Sequence, residues 1–184
     1  MKSIKYRRDL WQLFARPGAA AEIGVAEGNN SRDMLEWKLE DGRPAVTTLY
    51  MVDRWKENPE QFGDAAMPQD WHDKNFRQVQ HKIKPHGTRA IILRGDSVEM
   101  ADQVPDRSLV LVYIDADHTE PGCFRDLRAW VPKVKKGGIV GLHDFLNEAY
   151  GVRKAVEAFC ANNFKIHIIE EDKPEDAGAW FRVC

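Results

Sequence analysis

Seven short apolar runs punctuate the chain: AAAEIGV (19–25), VTTLYMVD (46–53), RAIILRGD (89–96), SLVLVYID (108–115), GGIVGLHD (137–144), FKIHIIEE (164–171) and GAWFRVC (178–184). Runs that are apolar at both parities and rich in β-branched residues read as strands covered on both faces, and the stretches between them carry the spacing of amphipathic helices. Helices are predicted over 3–14, 30–38, 70–84, 98–103, 121–134 and 149–162. This alternation defines an α/β fold, a seven-stranded and mostly parallel sheet with helices on both faces. The last two runs break the rule, because DKPEDA (172–177) is shorter than the dozen or so residues of a parallel crossover. They should close the sheet as a C-terminal antiparallel hairpin. No repeat or linker interrupts the order, so residues 1–184 are expected to form a single domain with an N-terminal helix within 1–19. The irregular stretch 56–69 (KENPEQFGDAAMPQ) reads as a loop or lid.

Composition narrows the partner rather than the fold. Apolar residues make up 43% and charged residues 30% of the 184, with 27 Lys and Arg against 29 Asp and Glu. That suits a globular chain and gives no electrostatic reason to expect nucleic acid. No window nears the ~18 uninterrupted apolar residues of a membrane span, and the first residues lack an apolar core ending in a small-residue cleavage site. Cys123, Cys160 and Cys184 are odd in number and far apart, a pattern of neither disulfides nor a zinc site. The expectation is a cytoplasmic protein with a small-molecule partner, with no nucleic acid and no membrane; self-association into a homo-oligomer stays open.

A sheet of this kind binds its ligand beyond the carboxyl ends of the strands. There stand Glu22 to Gly28, Asp53, Asp96 with Ser97, Asp115 to His118, and His143 with Asp144. Gly24 and Gly28 lie between a strand and a helix, where glycine allows close approach of the backbone and the helix start offers free N–H groups. Their spacing is not the G-x-G-x-x-G of dinucleotide-binding proteins. Each acid has a structural alternative: Asp53 can pair with Arg54 at the surface, and Asp96 can cap the helix that follows it. Neighbouring strands lie ~4.8 Å apart, so Asp115 and the pair His143 and Asp144 can converge on one point, and such a set suits Mg²⁺ or Mn²⁺. His118, three residues after Asp115, either lies exposed in a loop or acts as a base near neutrality. Asp117 either orients His118 or joins the metal shell. Trp130 and Trp180 fit core positions, whereas Trp55 and Trp71 flank the irregular stretch and are candidates for an acceptor pocket.

Taken together, EIGVAEGNNS, LYMVDRW, LRGDS, VYIDADH and GIVGLHD resemble the Rossmann-like (class I) S-adenosylmethionine-dependent methyltransferases, in particular the small branch of metal-dependent sugar and catechol O-methyltransferases. The likeness spans about residues 20–145. It implies that S-adenosyl-L-methionine is the cofactor and that Glu22, Gly24 and Gly28 hold its methionine part. By the same resemblance Asp53 takes the ribose hydroxyls, Asp96 and Ser97 face the adenine, and Asp115 lies at both cofactor and metal. It further implies a divalent metal, Mg²⁺ or Mn²⁺, on Asp115, His143 and Asp144, although His143 stands where these families usually carry an aspartate. His118 falls at the offset of a lysine that resembles the family's general base, so His118 and Asp115 are the expected catalytic pair. A hydroxyl-bearing small molecule is the implied acceptor.

Two other readings fit parts of the pattern. A strand ending in D-x-D also serves metal-dependent glycosyltransferases, and D-x-D-x-T opens haloacid-dehalogenase-type phosphatases. The first leaves the glycine turn unexplained, and the second needs more chain than follows Asp115. A catalytically degenerate nucleotide-binding module of the same fold is a separate alternative, but it has no use for converging carboxylates.

Overall fold

The computed structural model describes residues 4–13, 16–60, 63–161 and 163–184. All seven apolar runs are strands: β1 (Gly18–Ile23), β2 (Val46–Asp53), β3 (Ala90–Arg94), β4 (Leu109–Ile114), β5 (Val134–Leu142), β6 (His167–Ile169) and β7 (Gly178–Arg182). They form one sheet in the order β3-β2-β1-β4-β5-β7-β6. The first five run parallel, and β7 lies antiparallel to both β5 and β6. The predicted Rossmann-like class and the closing hairpin are therefore what folds.

Central β4, LVLVYI, is buried at every position, because helices cover both faces and neither parity can be polar. On one face Val112 and Ile114 pack with Val140, Leu142 and the Leu127, Trp130 and Val156 side chains. On the other, Leu111 and Tyr113 pack with Leu49, Met51, Met34, Leu35 and Val79. The helices that supply these layers are α1 (Asn29–Glu36), α2 (Gln69–Ile83), α3 (Ser97–Ala101), α4 (Glu120–Trp130) and α5 (Val152–Cys160).

Three predicted helices change at their ends. The N-terminal one is a 3-10 helix over Arg7–Leu13; the ends of the predicted 3–14 lie outside the described residues. Only Leu10 of this 3-10 turn is fully buried, too small an apolar face to hold a longer α-helix down. The segment is fastened instead by hydrogen bonds, Arg7 N donating to Glu171 Oε1 at 2.7 Å and Glu171 N to the Lys5 carbonyl at 3.0 Å. The predicted helix 121–134 ends at Trp130, and a 3-10 turn through Pro132 leads straight into β5, since proline supplies no amide to continue the ladder. The last helix starts at Val152 behind Gly151 and ends at Cys160; residue 162, its predicted end, lies outside the described residues. Cys123 and Cys160 are buried free thiols and Cys184 is exposed. Among the described residues no helix is long and apolar enough to cross a membrane.

The order of the sheet places the site. β1 is flanked by β2 on one side and β4 on the other, so successive connections leave in opposite directions and open a crevice at the carboxyl ends of β1 and β4.

Candidate active site

That crevice is a cavity of about 510 Å³. Its floor is the β1–α1 turn. Gly24 has φ +85°, and a Cβ there would overlap the backbone carbonyl oxygen of Asp115. Glycine is thus required by contact between two strand ends, in addition to whatever it allows a ligand. Gly28, at φ +73°, caps α1 and faces Val79. Asp53 reaches across from the end of β2: its Oδ2 accepts from Val25 N and Ala26 N, both at 2.9 Å, and its Oδ1 from Trp55 N at 2.7 Å. This carboxylate holds the turn in shape rather than pairing with Arg54. Ala26 and Trp55 both have left-handed backbones, φ 46° and 42°, a conformation the Asp53 bonds help to maintain.

Glu22 lies below the turn, buried, accepting from Asn30 Nδ2 at 2.8 Å and from the Ser31 hydroxyl. Burial pushes its carboxyl up to about 8, against the opposing effect of the Ser31 and Asn30 bonds. Glu22 therefore docks α1 onto β1 as well as lining the cavity.

At the far end Asp96 caps α3, accepting from Val98 N at 3.0 Å, as its structural alternative required. Ser97 is already engaged, its hydroxyl accepting from the Trp130 indole at 2.9 Å. Behind them lies Asp126 of α4, absent from the sequence-based set of site residues yet 1% exposed and facing the same cavity. Its position carried a signal: it falls in the buried stripe of Cys123, Leu127 and Trp130.

Across the crevice the ends of β4 and β5 bring Asp115, His118, His143 and Asp144 together, with one ligand atom of each within 4.8 Å of the others. His118 Nε2 lies 3.3 Å from Asp115 Oδ1 and 3.1 Å from Asp144 Oδ2. His143 Nδ1 lies 3.4 Å from Asp115 Oδ1 and 3.1 Å from Asp144 Oδ1. Asp144 is presented by a left-handed backbone, φ 52°. Burial lowers both imidazole pKa values, but the carboxylates outweigh it: His118 is pushed up to about 9 by Asp115 and Asp144, and His143 is raised by Asp144 and Asp115. Burial works against the Asp144 charge, yet the two histidines hold its carboxyl well below the usual range. Tyr150 stacks on His118 with ring centroids 4.6 Å apart, and Arg7 Nη1 approaches Asp115 to 3.9 Å. Asp117 is not in that cluster; its Oδ1 accepts from Thr119 N at 2.9 Å at the start of α4.

The stretch 56–69 borders the cavity through Lys56, Asn58, Asp64 and Ala65, with residues 61–62 outside the description. Its ends are clasped by reciprocal bonds between Glu57 and Gln69, each amide N–H donating to the other's side chain at 3.1 Å. Trp71 lines the cavity as expected. Trp55 does not: it is 1% exposed, its indole donates to the Ala26 carbonyl at 2.9 Å, and it packs on Phe76. The Asp53 bond to its amide turns the side chain inward, which corrects the expectation of an acceptor-pocket role. Trp130 and Trp180 are core, as predicted.

The fold is that of a class I, Rossmann-like methyltransferase. The sequence matches the family described as methyltransferase domain over residues 21–145, and the chain belongs to that family. The structure is similar to that of CalS11, a calicheamicin methyltransferase, with TM-score 0.68 and 20% identity over 95% of this chain and 75% of that one. It is also similar to the O-methyltransferase NovP, with TM-score 0.63 and 20% identity over 91% and 72% of the two chains. A putative methyltransferase from Streptococcus mutans, in complex with SAH, gives TM-score 0.66 and 8% identity over 95% and 94%. Among curated proteins none matches the sequence.

Proposed function

We propose that this methyltransferase transfers the methyl group of S-adenosylmethionine to a hydroxyl of a small molecule, with a divalent metal ion held by Asp115, His143 and Asp144. The observation that carries the reading is the four-residue cluster opening onto the same cavity as the β1–α1 turn. A cofactor along that turn would run from Glu22, Gly24 and Gly28, past Asp53 at the ribose, to Asp96 and Ser97 at the adenine, with Asp115 beside its sulfonium. Asp53 keeps room for one ribose hydroxyl: three amides fill three of about four lone-pair sites of its carboxylate, two on Oδ2 and one on Oδ1, which leaves one on Oδ1. The family, the SAH complex of one structural neighbour and the O-methyltransferase activity of others support the same reading.

The donor set fits a metal. Ligand atoms of Asp115, His143 and Asp144 lie within 4.8 Å of one another, and beside them His118 Nε2, 3.3 and 3.1 Å from two carboxylates, is buried without a hydrogen bond, an imidazole left for the acceptor's proton. Imidazole and carboxylate together suit Mn²⁺ better than Mg²⁺, which prefers oxygen and water. When bound, such an ion supplies Lewis acidity and orients the acceptor.

The remaining work falls to the chain. Methyl transfer to oxygen is an in-line displacement: the acceptor oxygen forms the new C–O bond as the S–C bond breaks, and the hydroxyl proton must go to a base. His118 Nε2 is that base. With both carboxylates bare, His118 keeps its own proton up to about pH 9. With Asp115 and Asp144 holding an ion, they would favour the imidazolium less, and His118 would lie nearer neutrality, where it could accept a proton.

Transfer of labelled methyl from S-adenosylmethionine to a panel of sugars and phenols tests the proposal, with EDTA and then Mn²⁺ or Mg²⁺ added. Expected are S-adenosylhomocysteine binding in preference to NAD(P), and transfer that EDTA lowers and the metal restores. Binding of NAD(P) with no response to S-adenosylhomocysteine would end the cofactor reading. Transfer indifferent to chelation, with no ion in metal-soaked crystals, would end the metal reading alone.

A further inference from the structure

Asp126 is a buried acid that nothing in the reaction above uses. It sits on α4 at 1% exposure, its Oδ2 has no hydrogen-bond partner, and it lines the cavity beside Asp96 and Ser97. A carboxyl placed in the apolar stripe of a helix is costly unless a partner answers it. Ser97, whose hydroxyl accepts from the Trp130 indole at 2.9 Å, answers in part by opposing the rise that burial gives the Asp126 carboxyl. Trp130, Ser97 and Asp126 thus meet behind the cavity wall, with a carboxylate that has acceptor capacity over.

We infer that Asp126 reads the exocyclic amine of the adenine base, with its carboxylate accepting one of the two N–H groups. This rests on the cofactor reading proposed above and adds to it a specificity residue at the base. An exocyclic amine offers two hydrogens and no lone pair for bonding; Asp96, one of whose oxygens is spent on Val98 N, can take the other. Ser97, expected from the sequence at the adenine, then serves as the positioning residue for Asp126. A carbonyl in place of the amine, as in an inosine base, would bring an oxygen against two acids and be rejected. Burial pushes Asp126 up to about 7 against the pull of Ser97 and Arg125, with Asp117 and Asp96 adding to the rise, so a donor at this carboxyl meets an acid that ionises readily near neutrality.

The test compares calorimetric affinities of the full-length protein for S-adenosylhomocysteine and for S-inosylhomocysteine, in the parent and in Asp126→Asn. The parent should prefer the adenine compound, and Asp126→Asn, whose amide can donate to the inosine carbonyl, should narrow that preference by about tenfold or more, the effect of one hydrogen bond to a charged group. Asp126→Ser, which leaves a small neutral group for Ser97, should narrow it similarly if the amide variant does not fold. A folded variant with the parent's preference would overturn the assignment and leave Asp126 as a clamp between α3 and α4. A parent that binds neither compound would overturn the cofactor reading itself, whereas a parent that binds both equally would overturn only the reading of the amine.

Discussion

The two sides of the cavity are built on opposite principles. On the β1, β2 and β3 side the chain satisfies its own acids: Glu22 by Asn30 and Ser31, Asp53 by three backbone amides, Asp96 by the start of α3. On the β4 and β5 side Asp115, His118, His143 and Asp144 face one another, and a buried imidazole nitrogen is left without a hydrogen bond. The first arrangement is scaffold, complete before any ligand arrives. The second is a set of donors whose balance of charge shifts as soon as something binds between them. Changes on the scaffold side should therefore move stability and cofactor affinity together, whereas changes on the donor side should move rate or metal affinity and leave cofactor affinity alone.

The largest expected break is on the donor side. Asp144→Asn should lower methyl transfer by about 10²–10³-fold, the several kcal/mol that charge stabilisation by a metal supplies, and should lose Mn²⁺ in calorimetry while S-adenosylhomocysteine binds as in the parent. His118→Ala should lower the rate by about 10²-fold yet keep its Mn²⁺ affinity, because His118 is base rather than ligand. Loss of cofactor affinity in Asp144→Asn would show that the two sides do not act separately.

Asp53→Ala should behave in the opposite way. Removing an acceptor that holds Val25, Ala26 and Trp55 should weaken S-adenosylhomocysteine by about 1.5–3 kcal/mol and lower the melting temperature as well. A variant with weaker binding and parental melting would mean that Asp53 serves the ligand alone.

The same contrast explains what the sequence made legible. Strands were plain because their apolar runs are buried on both faces, and the acids at their ends were plain because topology alone brings strand ends together. Side-chain direction was not. Asp117 and Asp115 are two residues apart, but one turns to the start of α4 and the other into the cluster. Trp55 follows Asp53 closely and flanks an irregular loop, yet a single bond from its amide and a left-handed turn send it into the core. Asp126 was readable in principle, as an acid in the register of Cys123 and Trp130, but a burial pattern shows only that a partner is needed, not which cavity lies in front.

Glu22 sharpens the comparison through pH. Its folded pKa, about 8, stands above its ordinary value of 4.5, so the folded state binds the extra proton in between. The stability this group contributes is fully present below about pH 4.5 and is lost as pH rises through 8. Between pH 5 and 8 the parent's melting temperature should fall by at least about 2–4 °C, the change that 1 kcal/mol makes in a domain of this size. Glu22→Gln should flatten part of that fall, while falls of the same sign remain from Asp126, pushed up to about 7, and from His118 and His143, both raised by their carboxylates. Equal slopes in parent and variant would show that Glu22 ionises freely and that α1 is docked by other contacts.

The smallest effect separates orientation from chemistry on the donor side. Tyr150 stacks on His118 at 4.6 Å with the rings 26° from parallel, which limits rotation of the imidazole. Such a contact is worth ~0.5–1.5 kcal/mol, or about 2–12-fold in rate. Tyr150→Ala should lower the maximal methyl-transfer rate by a factor in that range, with S-adenosylhomocysteine and Mn²⁺ affinities unchanged. Tyr150→Phe keeps the ring and should restore the rate. A fall in Tyr150→Phe as deep as in Tyr150→Ala would assign the work to the phenol hydroxyl, and His118 would then be oriented by the carboxylates alone.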